Sequence, residues 1–304
     1  TNSMFASDVG IEINKDAHII MAPNIGSYVG GDITAGTFAS CIWNQPTMSL
    51  FIDLGTNGEL VFGNNEFMMS CACSAGPAFE GGDISCGMRA TDGAIEACTI
   101  DKETMDPTLS IIGDEGQKAV GVCGSGIIDL ISELFRCGII NPKGKFVREG
   151  RRIRHDKYGM GSYVLVFKED AASVKDVEIN EVDIDNFMRA KGAIFSAIRV
   201  MLNSLDFTVD MIDDVYVAGG IGSGIDMKNA VNIGMFPDIP IEKFHYIGNS
   251  SLSGSYIMLL SNQAEKKVND IAHNMTYLEL SNEPTYMDEF VASCFLPHTD
   301  ATLF

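Results

Sequence analysis

At 304 residues, 46% of them hydrophobic and 20% charged, the chain carries enough apolar material for one large lobed domain or two smaller ones and is too apolar for extended disorder. Its 41 acidic side chains outweigh 21 basic ones, a formal net charge of −20, so most of the surface would repel a phosphodiester backbone and nucleic acid is excluded as a partner. No run approaches the ~20 apolar residues that span a bilayer and the N-terminus lacks a basic region followed by an apolar one, so no membrane is expected either. The eight cysteines are irregularly spaced without a Cys-x-x-Cys pair, which reads as free thiols in a reducing, cytoplasmic setting.

Residues 17–20 are short and β-prone, and Asp32 opens an Ala- and Thr-rich helix through about Ser40. Residues 49–53 form an apolar strand, Gly58 turns it, and residues 59–62 return as the second arm of a hairpin. The small-residue stretch 71–82 reads as a loop with short ordered ends, holding Cys71 and Cys73 as buried thiols. Strands are expected at 93–100 and 110–113. A glycine-rich segment, 121–126, leads into a helix over 127–137 whose Ile127, Ile128, Ile131, Leu134 and Phe135 recur at helical spacing. Residues 141–156 read as an exposed excursion whose Arg148, Arg151, Arg152 and Arg154 form either a solvated basic loop or a docking patch. After a strand at 163–167, Asp183 is the expected N-cap of a long helix through Leu205. A strand from Asp213 ends in the glycine turn Gly219-Gly220-Ile221-Gly222, a helix starts near Met227, another covers 252–274, and a strand-helix pair closes the chain. Alternating strands and helices give the α/β class.

Two of these turns carry chemistry. A phosphate needs several backbone N–H donors converging where no Cβ blocks the approach, and Gly55 and Gly58 in Asp53-Leu54-Gly55-Thr56-Asn57-Gly58-Glu59 provide that freedom. Asp53 suits a magnesium ion directly or through water, the Thr56 hydroxyl and Asn57 amide suit phosphate oxygens, and Glu59 points to the same end. An ordinary Asn-Gly hairpin explains the same residues. In the second turn, the paired glycines Gly219 and Gly220 that end the strand let the main chain pack against a base and ribose. A Rossmann site requires a second strand about 20 residues on, closed by an acidic residue, and Pro237 and Pro240 interrupt that region.

The two signals in this order resemble the superfamily of actin, the heat-shock chaperone ATPases and the sugar kinases. More specifically, Pro23-Asn24-Ile25-Gly26, Ile52 to Glu59, Ala75-Gly76-Pro77-Ala78-Phe79-Glu80-Gly81, Gly121-Val122-Cys123-Gly124-Ser125-Gly126 and Phe295-Leu296-Pro297-His298-Thr299-Asp300 resemble the C-terminal ATPase domain of the reductive activators of corrinoid proteins, over nearly the whole chain. The resemblance implies an α/β, actin-like (ribonuclease H-like) ATPase fold with mixed sheets flanked by helices. Residues 1–48 would be the remnant of an incomplete first lobe with its connecting helix, and 49–304 the second lobe with the phosphate hairpin, second connecting helix and adenosine motif. The first phosphate hairpin, and the [2Fe-2S] ferredoxin domain that family members carry, would precede residue 1.

It further implies ATP and Mg2+ as cofactors, a corrinoid protein as partner, and ATP-driven re-reduction of cobalt(II) to cobalt(I) in a methyltransferase system such as O-demethylation; a homodimer is compatible. The isolated chain would bind and hydrolyse ATP weakly. The implied catalytic residues are Asp53, which also holds the metal, and Asp32, which would position the attacking water; an N-cap role explains Asp32 equally well. Nucleotide contacts fall to Gly55, Thr56, Asn57, Gly58, Glu59, Gly219, Gly220, Gly222 and Ser223, with Glu80 closing over the nucleotide. Lys191 is a candidate for the base or ribose, or a surface charge. His298 and Asp300 read as a structural C-terminal motif. A small-molecule kinase of the same superfamily and a non-hydrolysing docking module remain as alternatives.

Overall fold

The computed structural model describes residues 4–220 and 224–304. Met4–Phe5 (β1) pairs antiparallel with His18–Ile19 (β2), and the chain then enters Gly31–Ser40 (α1). The extended Gly30 precedes this helix, so Asp32 lies inside its first turn and is not the cap. Cys41, in the left-handed region at φ 63, ends it.

Ser49–Leu54 (β3), Gly58–Gly63 (β4) and Met68–Cys73 (β5) form an antiparallel meander. The stretch from residue 71 has the short ordered ends expected of it: Cys71 and Cys73 are buried strand residues, and irregular chain begins beyond them. Ala94–Ile100 (β6) pairs antiparallel with Pro107–Ile111 (β7) and parallel with Gly121–Val122 (β8), after which Gly124–Arg136 (α2) runs almost wholly buried. The strand expected at 110–113 sits earlier because Pro107, which has no N–H to lose, can begin a strand.

Ile153–His155 (β9), Gly161–Val166 (β10) and Val177–Asn180 (β11) form a separate antiparallel sheet. Here the basic segment is consumed internally. Arg152 bonds Asp106 at 2.7 Å and the carbonyls of Val164 and Leu165 at 3.0 Å, Arg154 pairs with Asp176, and Arg148 bonds the carbonyls of Lys102 and Cys137. Arg151, Arg152 and Arg154 surround the Phe167 ring at 4.7, 5.1 and 5.9 Å.

Glu181–Ser204 (α3) is capped by Asn180 rather than by Asp183. The two form a capping box, Asn180 Oδ1 accepting the Asp183 N–H while Asp183 Oδ2 accepts the Asn180 N–H at 3.0 Å. Asp183 also takes the Ser85 amide and hydroxyl at 2.7 and 2.6 Å, so it anchors a distant loop. Asp214–Gly219 (β12), Met227–Asn232 (α4), Phe244–Tyr246 (β13), Ser250–Leu260 (α5), Asn262–Asn274 (α6), Met275–Tyr277 (β14) and Tyr286–Ser293 (α7) follow. One helix was expected over 252–274. Extended Ser261 (φ −148) divides it, its hydroxyl accepting the Ala264 N–H as the cap of α6.

The central sheet has the order β13-β12-β3-β4-β5-β14, with β12 parallel to both β3 and β13 and β14 parallel to β5. Alternation along β3 divides the core: Leu50, Ile52 and Leu54 join the cluster built with α2 and α3, and Phe51 joins that of Ile33 on α1 and Ile271 on α6. Helices α1 and α5 cross where any Cβ on Gly254 would stand 2.0 Å from the Ala35 carbonyl, so the backbones touch. Among the described residues no helix is long and apolar enough to cross a membrane.

Candidate functional site

The sheet register builds the site. Because β12 lies parallel to β3 with Gly219 opposite Leu54, the hairpin turn at 55–57 and the glycine turn from 220 leave the sheet side by side at the carboxyl ends of adjacent strands. Open α/β sheets place ligands there. The Gly55 N–H donates to the Asn57 carbonyl at 3.0 Å, tightening the first turn.

Two contiguous cavities occupy this end. One, of about 340 Å³, is bordered by Asp32, Asp53, Thr56, Asn57, Glu59 and Gly220; the other, of about 410 Å³, has apolar walls from Phe79, Met88 and Ile112 and polar groups from Arg89, Glu96 and Ser125. Leu54, Glu80 and Gly220 line both. Glu80 stands on the divide, its Oε1 accepting the Thr56 hydroxyl at 3.3 Å. The first cavity is strongly acidic and the second is half apolar, the division a nucleotide's phosphates with their cation and its base would need.

Asp53 and Glu59 face each other across β3 and β4. Burial, then the charge of Asp32, pushes Asp53 up to about 6. Burial, then Asp32 and Asp53, pushes Glu59 up to about 7 against a bond from Asn57. Carboxylates that hold one another above their ordinary range gain most from a divalent cation, so the donor set fits Mg2+. Among the described residues no three acidic, His or Cys side chains converge tightly enough to hold a metal alone, so the fit requires phosphate oxygens and water to complete the shell.

The glycines separate into two pairs. Around Gly55 the nearest atom to a built Cβ is the Asn57 carbonyl at 3.7 Å, and around Gly220 no atom of the described residues stands within 4 Å; both border the acidic cavity. Gly58 would collide with Cys73 Sγ at 2.8 Å, and Gly219, at φ +104, with the Leu54 carbonyl at 2.2 Å. The last two are glycines for the packing of strand on strand. Gly222 and Ser223 lie outside the described residues.

Lys191 is elsewhere, and it is neither at the base-side cavity nor on the surface. Fully buried in the middle of α3, its Nζ donates to the carbonyls of Phe295, of Pro297 at 2.6 Å and of Gly234 at 3.4 Å, while burial lowers it to about 7. His298 is buried beside it with Nδ1 accepting the Asp300 N–H at 2.9 Å, the arrangement of a structural C-terminal motif.

The sequence reading missed Asn249 and Ser251 at the start of α5, which border the acidic cavity, and Arg89, Glu96 and Ser125 in the other. Asn249 had a signal: it caps α5, accepting the Leu252 N–H at 2.9 Å, and an Asn before Ser-Ser and an apolar run is a helix start. Arg89 and Glu96 had none, since only the second sheet's placement brings them to the cleft.

Residues 47–304 match the family described as the C-terminal domain of RACo, the ASKHA domain, and residues 1–45 match the RACo middle region. The chain is 31% identical over 297 residues, 95% of its length and 49% of the relative's, to a corrinoid activation enzyme, RamQ, of Eubacterium limosum. It is 26% identical to a [Co(II) methylated amine-specific corrinoid protein] reductase of Methanosarcina barkeri, over 92% of this chain and 52% of that one. A solved reductive activator for a corrinoid, iron-sulfur protein superposes with a TM-score of 0.92 at 47% identity, covering 99% of this chain and 48% of that chain. The chain thus spans about half the length of the relatives it matches.

Proposed function

The chain belongs to the family of RACo C-terminal ASKHA domains, and on that premise we propose that it is the ATP-binding and partner-docking part of an activator that returns a corrinoid protein from cobalt(II) to cobalt(I). Residues 1–48 then contribute first-lobe sequence with the connecting helix α1, and 49–304 form the second lobe. The observation that carries the reading is the pairing of an acidic, cation-seeking cavity with a half-apolar one across Glu80 and Gly220, at the ends of two parallel strands.

In this reading Asp53 and its cross-strand neighbour Glu59 would hold Mg2+ together with phosphate oxygens, and the ion would supply the charge that neutralises the polyphosphate. Thr56 and Asn57 present a hydroxyl and an amide to phosphate, and Gly55 and Gly220 keep the main chain accessible. Asp32, exposed in the first turn of α1, is the carboxylate that orients a water molecule. Gly220 and Gly224, with Ser125 opposite, border the base.

ATP adds no reducing power by itself. The electron that converts cobalt(II) to cobalt(I) comes from a separate donor, and nucleotide binding shifts the population of the state that docks the corrinoid protein. With a low-potential chemical reductant as donor, cobalt(I) absorbance should develop on a cobalt(II) corrinoid protein in the presence of this chain only when Mg2+ and ATP are both added. Equal yields with and without ATP would contradict the proposal.

A further inference from the structure

The wall of the base-side cavity is made by two pieces of chain that no sheet holds together. One is the start of α2, where Gly124 and Ser125 line the cavity; the other is the pair Gly220 and Gly224, which lie between β12 and α4. They approach closely, since a Cβ on Gly224 would stand 3.1 Å from Ser125 Oγ, yet the Ser125 hydroxyl is committed to the Glu96 carbonyl at 2.9 Å. Core packing of Ala230 and Val231 with the apolar face of α2 sets part of their spacing, and a polar joint sets the rest.

We propose that Asn229 is the positioning residue of this cavity, pinning the start of α4, and with it the chain at Gly224, to α2 through both ends of its amide. Its Nδ2 donates to Asp129 Oδ1 at 2.7 Å, and its Oδ1 accepts the Ser132 hydroxyl at 2.9 Å. Asp129 and Ser132 are three apart on α2, so they share a face, and they are only 7% and 1% exposed. On its own side, the Asn229 backbone N–H donates at 3.2 Å to Asp226 Oδ1, the cap of α4, directly after the turn. One residue therefore joins the start of α4 to the helix whose first residues form the opposite wall.

The residue type follows from the partners. A carboxylate and a hydroxyl side by side ask for one group with a donor and an acceptor at the same tip, which the carboxamide supplies and neither Asp nor Leu does. Burial pushes Asp129 up to about 6, the bond from Asn229 opposing that rise, with the Asp226 charge adding to it. Removing the amide leaves a buried carboxylate and a buried hydroxyl without these partners, and the spacing of the two walls loosens. The carboxylates and turn residues of the acidic cavity come from α1 and the β3-β4 hairpin, neither of which this joint touches.

The inference rests on the nucleotide reading above, and a paired titration separates the two. Adenosine and Mg2+-tripolyphosphate are titrated separately into this chain and its variants by calorimetry, with melting temperature recorded for each. Asn229→Ala is expected to weaken adenosine by roughly tenfold while leaving tripolyphosphate unchanged, and Asp53→Asn to do the reverse. Ser132→Ala, a milder cut at the same joint, should weaken adenosine by a few-fold, and Asp129→Asn, which keeps an acceptor for the amide, should retain it. Unchanged adenosine affinity in folded Asn229→Ala or Ser132→Ala overturns the positioning role, as does a parallel loss of both ligands. Tripolyphosphate binding indifferent to Asp53→Asn counts instead against the nucleotide reading.

Discussion

The acidic cleft at the ends of β3 and β12 and the Lys191 anchor in α3 both gather ionisable groups displaced from their ordinary range, and they solve opposite problems. In the cleft, Asp53 and Glu59 stand beside Asp32 around open space, and no cationic side chain among the described residues lines it. At the anchor, a single ammonium is enclosed, and three carbonyls from the C-terminal motif and Gly234 take its donors. A perturbed group marks a ligand site when it borders space and is left uncompensated; when neighbours complete its hydrogen bonds it marks the architecture.

The sharpest way to break that comparison is to remove Lys191. Lys191→Ala leaves three carbonyls and a void in the core, and chemical denaturation should show a loss of about 3 kcal/mol or more with Mg2+-ATP affinity unchanged in the folded fraction. Nucleotide affinity falling while stability holds would move Lys191 back to the ligand.

The glycine pairs give the next largest contrast. Gly219→Ala meets the Leu54 carbonyl at a positive φ and should cost about 2 kcal/mol of stability, whereas Gly220→Ala, with open space around it, should melt like the parent. In Gly220→Ala the added methyl projects into room the ligand needs, so Mg2+-ATP should bind several-fold more weakly. Equal melting temperatures for the two variants would contradict the division.

The smallest effect is the opposite pH response of the two regions. Asp53 and Glu59 are raised above their unfolded values, so the stability they contribute is complete below about 4 and is lost as pH climbs through 6 to 7. Lys191 is depressed to about 7, so its contribution is present above about 10.5 and lost as pH falls through 7. Without Mg2+, the cleft's share of the melting curve should fall between pH 4 and 7, and Asp53→Asn should flatten that fall; in Lys191→Met the rise above pH 7 should vanish. A slope unchanged by either substitution would separate these groups from the pH response.

Much of this was readable in the order of residues. The hairpin, the glycine turn and the helical faces depend on local spacing, and the resemblance to corrinoid activators through five separated motifs agrees with the family the chain belongs to. What sequence could not give was partnership across the chain. Nothing near Lys191 predicts that carbonyls more than 100 residues on would close around it, and the pairing of Arg152 with Asp106 or of Asn229 with Asp129 exists only once helices and sheets are packed. Gly58 and Gly219 were chosen for the freedom a phosphate or base needs, and the same freedom serves strand packing. Asp183 carried a cap signal displaced by three residues, because in a capping box the first and fourth positions both hold polar side chains.

The central claim is that the cleft beside Asp53 binds a nucleotide through a divalent cation, and calorimetric titration of ATP into the chain with and without Mg2+, repeated for Asp53→Ala, tests it most directly. Saturable one-to-one binding that requires Mg2+ and is lost in the variant is the predicted result; heats that are the same in both proteins, or indifferent to Mg2+, would contradict it.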